Sequence, residues 1–134
     1  MNSELTYVID THPLIWYLAG SPKLKPAARR ALTRIERGDA VGLIPVIVLA
    51  ELIYLFEKRR TTISLKQVLM EIDKIPSYQI VSLDRAQIEE VAKLTGISEM
   101  HDRMIVAVAR VKGAKLITKD QEIKDSRLAD VVWA

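Results

Sequence analysis

The 134-residue sequence contains no cysteine, and this absence excludes several classes of protein. Without thiols the chain forms no disulfide scaffold, no zinc ribbon and no cysteine nucleophile. Nothing in the composition points away from a reducing cytoplasm, which is the predicted location. The motifs of nucleotide cofactors are missing as well, since the sequence has neither G-x-G-x-x-G nor a Walker lysine motif.

Targeting and membrane-spanning segments are not predicted either. The first six residues, Met-Asn-Ser-Glu-Leu-Thr, have no basic region ahead of an apolar core, as a signal peptide would. The most apolar stretch, residues 40–56, contains Gly42, Pro45 and Glu51 and is shorter than the ~20 residues that a spanning helix needs. A buried strand followed by a buried helix explains this stretch better, and no membrane partner is expected.

The composition is that of an ordinary globular protein. Apolar residues make up 49% of the chain and charged residues 28%, which excludes general disorder. There is no internal repeat, no low-complexity segment and no linker long enough to divide the chain. A single domain over residues 1–134 is predicted.

Apolar runs that alternate with helical segments predict an α/β fold. The run at residues 5–9 is expected to be a buried strand, with Thr11 capping a helix over residues 12–19. A long helix is expected from Pro45 to about Arg60. Ser64 and Gln67 have capping-box spacing at the start of a further helix, and Asp84 is expected to cap one that ends before Gly96. A helix from about Met100 is expected to stop at Gly113. Further strands are predicted over residues 41–44, 78–83, 115–118 and 131–133. The order β-α-α-β-α-α-β-α-α-β-(α)-β predicts a mostly parallel sheet of four to five strands with helices on both faces.

Four carboxylates are candidates for a shared site at one edge of this sheet. Asp10 closes the first strand, Asp120 follows a later one, and Asp102 lies in the first turn of a helix. Open parallel sheets bind ligands outside the carboxyl ends of their strands. Each aspartate also has a purely structural interpretation. Asp10 and Asp120 are suited to capping helices, and Asp102 to an ion pair with Arg103 or Arg110.

Glu51 is the fourth candidate, and its surroundings set it apart. It is the only charge between Asp39 and Glu57, within a stretch that is apolar on nearly every side. Such a helix is expected to be mostly buried, where a carboxylate is costly without a cation or hydrogen-bond donors. The structural alternative is a buried ion pair with an arginine.

A divalent metal would neutralise four converging acids better than one arginine. Oxygen-only ligands suit Mg²⁺ or Mn²⁺, and Mg²⁺ held by carboxylates typically engages a phosphate. The chain has 20 Lys and Arg against 17 Asp and Glu, so committing four acids to metal raises its formal charge from +3 to +7. That surplus favours a long phosphate backbone over a small neutral substrate.

The motifs that carry these acids resemble those of the PIN-domain family, in particular its VapC-type toxins. The resemblance covers the chain from about Tyr7 to Ile123, nearly its whole length, with four motifs in order. The motifs are Tyr7-Val8-Ile9-Asp10-Thr11-His12-Pro13-Leu14-Ile15-Trp16, the stretch 45–56 with Glu51, Asp102-Arg103-Met104-Ile105-Val106-Ala107-Val108-Ala109, and Leu116-Ile117-Thr118-Lys119-Asp120. One departure is the triplet Glu99-Met100-His101, because related toxins often carry an acid, a proline and an aromatic there.

The resemblance implies a PIN-like three-layer sandwich and a metal-dependent endoribonuclease, the toxin of a type II toxin–antitoxin pair. By analogy, Asp10, Asp102 and Asp120 would ligate Mg²⁺, which Mn²⁺ could replace, and Glu51 would orient a metal-bound or attacking water. Thr11 and Thr118 match positions where a hydroxyl supports the carboxylates. The products would carry a 5′-phosphate and a 3′-hydroxyl. The implied partners are RNA, a cognate antitoxin and a second copy of the chain.

Several other residues keep two interpretations. His12 and His101 lie near proposed ligands, but neutral imidazole is not a preferred ligand of Mg²⁺. Trp16, Tyr17 and Tyr54 could stack on bases, although their spacing is typical of core or dimer contacts. A helix is also predicted over about residues 26–37, and its four arginines could follow a phosphate backbone or form a solvated face. They are Arg29, Arg30, Arg34 and Arg37.

Two further function classes compete with the nuclease. A catalytically silent PIN-like module would bind RNA or protein, but it would have no need to retain a costly Glu51. A phosphoryl-accepting receiver or an aspartyl-phosphate phosphatase would also have an acid at the first strand end. Both usually need an adjacent acid pair or an Asp-x-Asp motif, which Asp10-Thr11-His12 does not provide.

Overall fold

A computed structural model describes residues 5–134, which form a five-stranded sheet with seven helices. The strands are β1 (Thr6–Ile9), β2 (Val41–Pro45), β3 (Tyr78–Val81), β4 (Lys115–Ile117) and β5 (Val131–Val132). The helices are α1 (Thr11–Leu18), α2 (Pro26–Glu36), α3 (Val46–Glu57), α4 (Leu65–Lys74), α5 (Arg85–Val91), α6 (Met100–Lys112) and α7 (Gln121–Ser126). The strand order is β3-β2-β1-β4-β5, and all four strand pairs are parallel. The predicted α/β class with a parallel sheet is confirmed.

Strand β1 lies at the centre of the sheet. Val8 is aligned with Leu43 of β2 on one side and with Leu116 of β4 on the other. Three of its four residues are buried, as expected for a parallel strand covered on both faces. Helix α6 packs on β1 and β4, whereas α2 packs on β2 and β5. The carboxyl ends of β1 and β4 are therefore neighbours at one edge of the sheet.

Gly42 of β2 allows helix α2 to approach the sheet closely. A Cβ atom at this position would lie 2.9 Å from Ile35 Cγ2 and 3.1 Å from Ile9 Cδ1. Ile35 and Ile9 are both fully buried, so neither side chain has free space to move into. The glycine is thus a packing requirement of the α2–sheet contact.

Predicted helix caps are mostly confirmed. Ser64 and Asp84 each form a capping box, with Gln67 and Gln87 respectively. Gly113 ends α6 in the left-handed conformation, with φ +61°. The cap predicted at Thr11 is wrong, because the preceding Asp10 is the N-cap and Thr11 is the first residue of α1.

Two helices end earlier than predicted. Helix α3 ends at Glu57, not near Arg60, because Arg59 adopts a left-handed φ of 57° that stops the helix. Helix α5 ends at Val91 because, after the cap residue Ala92, the N–H groups of Lys93 and Leu94 bond to carbonyls three residues back. Such bonds tighten the final turn and prevent the helix from continuing to Gly96.

Helix α3 is less buried than its apolar sequence predicts. Only Val48, Leu52 and Leu55 are buried, whereas Ile53 and Tyr54 are 40% and 51% exposed. The reason is that the sheet and the neighbouring helices cover one face of α3 and leave the other uncovered. Within residues 5–134, no helix combines the length and the apolar character that crossing a bilayer would require.

Candidate active site

The four predicted acids come from four different elements that meet at the carboxyl edge of the sheet. Asp10 directly follows β1, and Asp120 follows β4 by three residues. The Asp10 N–H donates to the Ile117 carbonyl at 3.0 Å, which connects the ends of these two strands. Asp102 lies in the first turn of α6, and Glu51 lies in the middle of α3.

Two threonines hold the Asp10 carboxylate in place. Its Oδ1 accepts from the Thr11 N–H and its Oδ2 accepts from Thr118 Oγ1, both at 2.7 Å. The same Thr118 hydroxyl accepts from the Asp120 N–H at 3.1 Å. Because Thr118 is fully buried, it gives a rigid connection between the Asp10 carboxylate and the backbone of Asp120.

Glu51 is held by a hydroxyl and not by an arginine. Thr11 Oγ1 donates to Glu51 Oε1 at 2.7 Å, and no cation pairs with Glu51 among the residues that the structure describes. The glutamate is half-buried. Within residues 5–134, Glu51 therefore does not form the buried ion pair with an arginine that was the structural alternative.

Asp102 and Asp120 form a closer group with Glu122, an acid that was not among the four predicted. One carboxylate oxygen from each of the three lies within 4.8 Å of the others. Glu122 is exposed in the first turn of α7, and its carboxylate accepts from Ser98 Oγ at 2.9 Å. The position of Glu122, two residues after Asp120, was the only sequence feature that could have identified it. It is a weak indication, because the helix dipole favours acids in the first turn of any helix.

Two of the carboxylates at this edge, Asp10 and Asp102, have raised pKa values. Burial raises the pKa of Asp10 to about 6, and the charges of Glu51 and Asp120 contribute in the same direction. Burial also raises the pKa of Asp102 to about 7, together with the charges of Asp120 and Asp10. The ionised forms of Asp10 and Asp102 are thus destabilised by burial and by the neighbouring charges.

The arginines that the sequence offered as partners of Asp102 bond elsewhere. Arg103 Nε donates to the Ile97 carbonyl, and Arg110 Nε contacts Glu90 at 2.6 Å. Over residues 5–134 no Lys or Arg forms a salt bridge with any of the four predicted acids. The structural alternative for Asp102, an ion pair with Arg103 or Arg110, is therefore not formed, and no cation of residues 5–134 neutralises the acidic group.

The structural roles considered for the acids are compatible with a site. Asp10 caps α1, and Asp120 caps α7 by accepting from the Ile123 N–H at 2.9 Å. Glu99, from the triplet that departs from the family pattern, caps α6 by accepting from the His101 and Asp102 N–H groups. Capping engages only part of each carboxylate, since every ionised carboxyl group has about four lone-pair positions.

Three of the other residues with two interpretations have structural contacts. Tyr17 donates to Glu36, and Arg29 donates to the Ser21 carbonyl. His101 is exposed near Glu99. Trp16 differs, because its ring lies beside His12, a second tryptophan and two lysines.

The donor set fits a hard divalent cation. Every candidate ligand is a carboxylate oxygen, which Mg²⁺ and Mn²⁺ prefer, and the group contains no cysteine or histidine that would favour zinc. The raised pKa values of Asp10 and Asp102 show that their ionised forms are disfavoured, and a bound cation would stabilise those forms.

Comparison with protein families gives one match that covers most of the sequence. The PIN domain model matches residues 7–127. The chain belongs to the PIN-domain family. A comparison with curated proteins finds no match.

Solved structures share the fold of this PIN domain at low sequence identity. VapBC2 from Rickettsia felis, bound to a DNA fragment from their promoter, has a TM-score of 0.70 and 19% identity, covering 97% of this chain and 100% of its own. A toxin–antitoxin complex from Klebsiella pneumoniae has a TM-score of 0.65 and 18% identity, and the match covers 92% of this chain and 94% of the other. DNA-bound VapBC from Salmonella typhimurium has a TM-score of 0.64 and 18% identity, and the match covers 95% of this chain and 96% of the other. The predicted PIN-like architecture is confirmed.

Proposed function

We propose that this PIN domain is a metal-dependent endoribonuclease and the toxin of a type II toxin–antitoxin pair. The observation that carries the proposal is the group of four acids at one sheet edge, which has no cationic partner in the described part of the chain. Membership of the PIN family and the fold shared with VapBC complexes support it.

Asp10, Asp102 and Asp120 would hold Mg²⁺, or Mn²⁺ in its place, and Glu122 is a further candidate ligand. When bound, such an ion activates water and stabilises charge on a phosphate. Thr118 orients Asp10, and Thr11 orients Glu51, whose carboxylate is assigned to positioning the attacking water. Hydrolysis would break the bond between phosphorus and the 3′ oxygen, giving a 5′-phosphate and a 3′-hydroxyl.

The partners proposed for this chain are an RNA substrate, an antitoxin protein and a second copy of the chain. Toxin–antitoxin complexes among the structures with the same fold support the antitoxin. The uncovered face of α3 supports a homodimer. The cytoplasmic location and the extent of the domain, residues 1–134, stay predictions.

A cleavage assay with a matched folded variant tests the nuclease. Purified protein is incubated with single-stranded and stem-loop RNA, with Mg²⁺ or Mn²⁺ and with EDTA, beside Asp102→Asn. We expect cleavage that EDTA abolishes and that the variant loses by at least about 100-fold, because an acid needed for the metal is gone. Circular dichroism establishes that the variant is folded.

Mn²⁺ titration by calorimetry separates the outcomes. Mn²⁺ binding by the wild type without cleavage of either RNA would favour the alternative, a catalytically silent module that binds RNA or protein. If the wild type binds no Mn²⁺, the assignment of these acids to a metal site is wrong. Cleavage that persists in EDTA and in Asp102→Asn would also overturn the proposal.

A further inference from the structure

A group of aromatic rings and lysines lies beside the acidic site and has no part in the chemistry assigned above. Its members are His12, Trp16, Lys23, Lys119 and Trp133, which we call the Trp16 cluster. The chain contains only two tryptophans, and both belong to this cluster.

The Trp16 ring is the centre of the cluster. His12 is one helical turn away on α1, with its ring centroid 5.4 Å from that of Trp16. Trp133 follows β5, and its ring centroid is 6.0 Å from that of Trp16 on a tilted plane. Trp16 and Trp133 both pack against the hydrophobic core and are partly exposed, so part of each side chain reaches solvent.

Two lysines extend over the same ring. Lys23 Nζ is 5.7 Å and Lys119 Nζ is 5.6 Å from the Trp16 ring centroid, within the range of cation–π contacts. Both side chains are exposed, and neither forms a salt bridge within residues 5–134. Two like charges on one ring repel each other, which a bound anion would relieve.

The position of Lys119 connects the cluster to the acidic site. Lys119 lies between Thr118 and Asp120, yet its ammonium group extends to Trp16 and forms no salt bridge with the adjacent Asp120. His12 is two residues after Asp10. Because β5 pairs with β4, Trp133 follows the strand next to the one that leads to Asp120. Two members of the Trp16 cluster, His12 and Lys119, are thus within two residues of the proposed ligands Asp10 and Asp120.

We propose that the Trp16 cluster binds an unpaired RNA nucleotide next to the bond that is cut, with its base on Trp16 and its phosphates at Lys23 and Lys119. This assignment rests on the proposed function for the identity of the substrate. Aromatic rings beside lysines are the combination that binds single-stranded nucleic acid, since every base has a face that can stack. Bases within a duplex are already stacked, so a paired segment is a poorer ligand.

The two tryptophans give a direct readout of this binding. An oligouridylate of about eight nucleotides is titrated into the wild-type protein in EDTA, where no metal-dependent cleavage occurs, and tryptophan fluorescence is recorded. We expect quenching that saturates, with weaker binding to the same oligonucleotide in a duplex. Trp16→Leu should weaken binding about 10-fold, and Trp16→Phe should retain most of it because the phenyl ring still stacks.

The lysines are tested through the salt dependence of the same binding. Lys23→Ala and Lys119→Ala should each reduce the slope of log affinity against log salt by about 0.7, the contribution of one phosphate contact on a single strand. Lys66→Ala, an exposed lysine on α4, is the matched control and should leave the slope unchanged. An oligonucleotide with abasic sites tests stacking separately, because it keeps the phosphates and lacks the bases.

The results distinguish this inference from the proposed function. Quenching and lysine-dependent binding without any RNA cleavage would support the nucleotide site and contradict the nuclease. Cleavage by a protein whose RNA binding is unchanged in Trp16→Leu, Lys23→Ala and Lys119→Ala would support the nuclease and overturn the nucleotide site. Equal affinity for the abasic oligonucleotide, or for an acidic peptide of the same charge, would also overturn it.

Discussion

At the scale of single residues, two threonines donate hydrogen bonds to carboxylates of the candidate site, which lie close enough to repel one another. Thr11 donates to Glu51 and Thr118 donates to Asp10, each at 2.7 Å. The bond from Thr118 favours the ionised Asp10 carboxylate, whereas burial and the neighbouring acids disfavour it. The pKa values of Asp10 and Asp102 are both raised, and this gives the metal-free protein a specific dependence on pH.

The metal-free protein is expected to lose stability as the pH rises from about 4 to about 8. Asp10 and Asp102 have folded pKa values of about 6 and about 7, above the value near 4 of an unfolded chain. The folded state therefore binds more protons than the unfolded state in this interval, so the free energy of unfolding falls with increasing pH. Thermal unfolding in EDTA at pH 5 and pH 8 measures the difference.

Asp102→Asn should reduce the pH-dependent decrease in the free energy of unfolding, since the variant has no carboxyl group to ionise at that position. Its melting temperature at pH 8 should exceed that of the wild type. Asp73→Asn, an exposed aspartate on α4, should behave like the wild type. A variant Asp102→Asn that melts below the wild type at pH 8 would contradict the predicted repulsion among the acids.

At the scale of elements, the contact between α2 and the sheet depends on the absence of one side chain. Gly42→Ala would bring a methyl group to 2.9 Å from Ile35, and the fully buried Ile9 closes the other side. We expect the free energy of unfolding to fall by about 1–3 kcal/mol, as for other overpacked cores. Urea denaturation measures it.

Gly96→Ala is the matched control for this substitution. The nearest atom to its added Cβ is Leu128 Cδ1 at 3.8 Å, an ordinary contact. This variant should change stability by less than about 0.5 kcal/mol. Equal effects at the two positions would show that the close packing of α2 on β2 is not what Gly42 provides.

The ends of the elements show which local patterns were sufficient. The capping box at Ser64 and the glycine at Gly113 were predicted because each acts through its own neighbouring backbone. The end of α3 depends on the left-handed Arg59, which no residue preference predicts. The cap of α1 was misplaced by one residue because Asp10 and Thr11 are both good caps, and their tertiary partners decide between them.

At the scale of the whole molecule, the uncovered face of α3 is where a second copy is expected to bind. Val46, Ile53, Tyr54 and Phe56 are exposed by 39–51%, and they would be shielded in a dimer. The wild type should be a dimer by size-exclusion chromatography with light scattering. Ile53→Glu should shift it to a monomer because a charge would be buried in the interface.

Met70→Glu is the control for this prediction. Met70 is an equally exposed apolar residue, 52% accessible, but it lies on α4. It should leave the dimer intact. A monomeric wild type, or a dimer that withstands Ile53→Glu, would show that α3 does not form the interface.

The class of fold was predictable from sequence, because apolar runs that alternate with helical segments define buried strands of a parallel sheet. The same pattern selected Asp10 and Asp120, since acids after neighbouring parallel strands lie at one edge. The hydrogen-bond partners of the acids, in contrast, depend on tertiary contacts. The tertiary structure brought Thr118 to Asp10 across 108 positions and Thr11 to Glu51 across 40, and it added Glu122 to the group. It also gathered Lys23, Lys119 and Trp133 around Trp16. Contacts between distant segments depend on how helices pack on the sheet, which no local pattern in the sequence encodes.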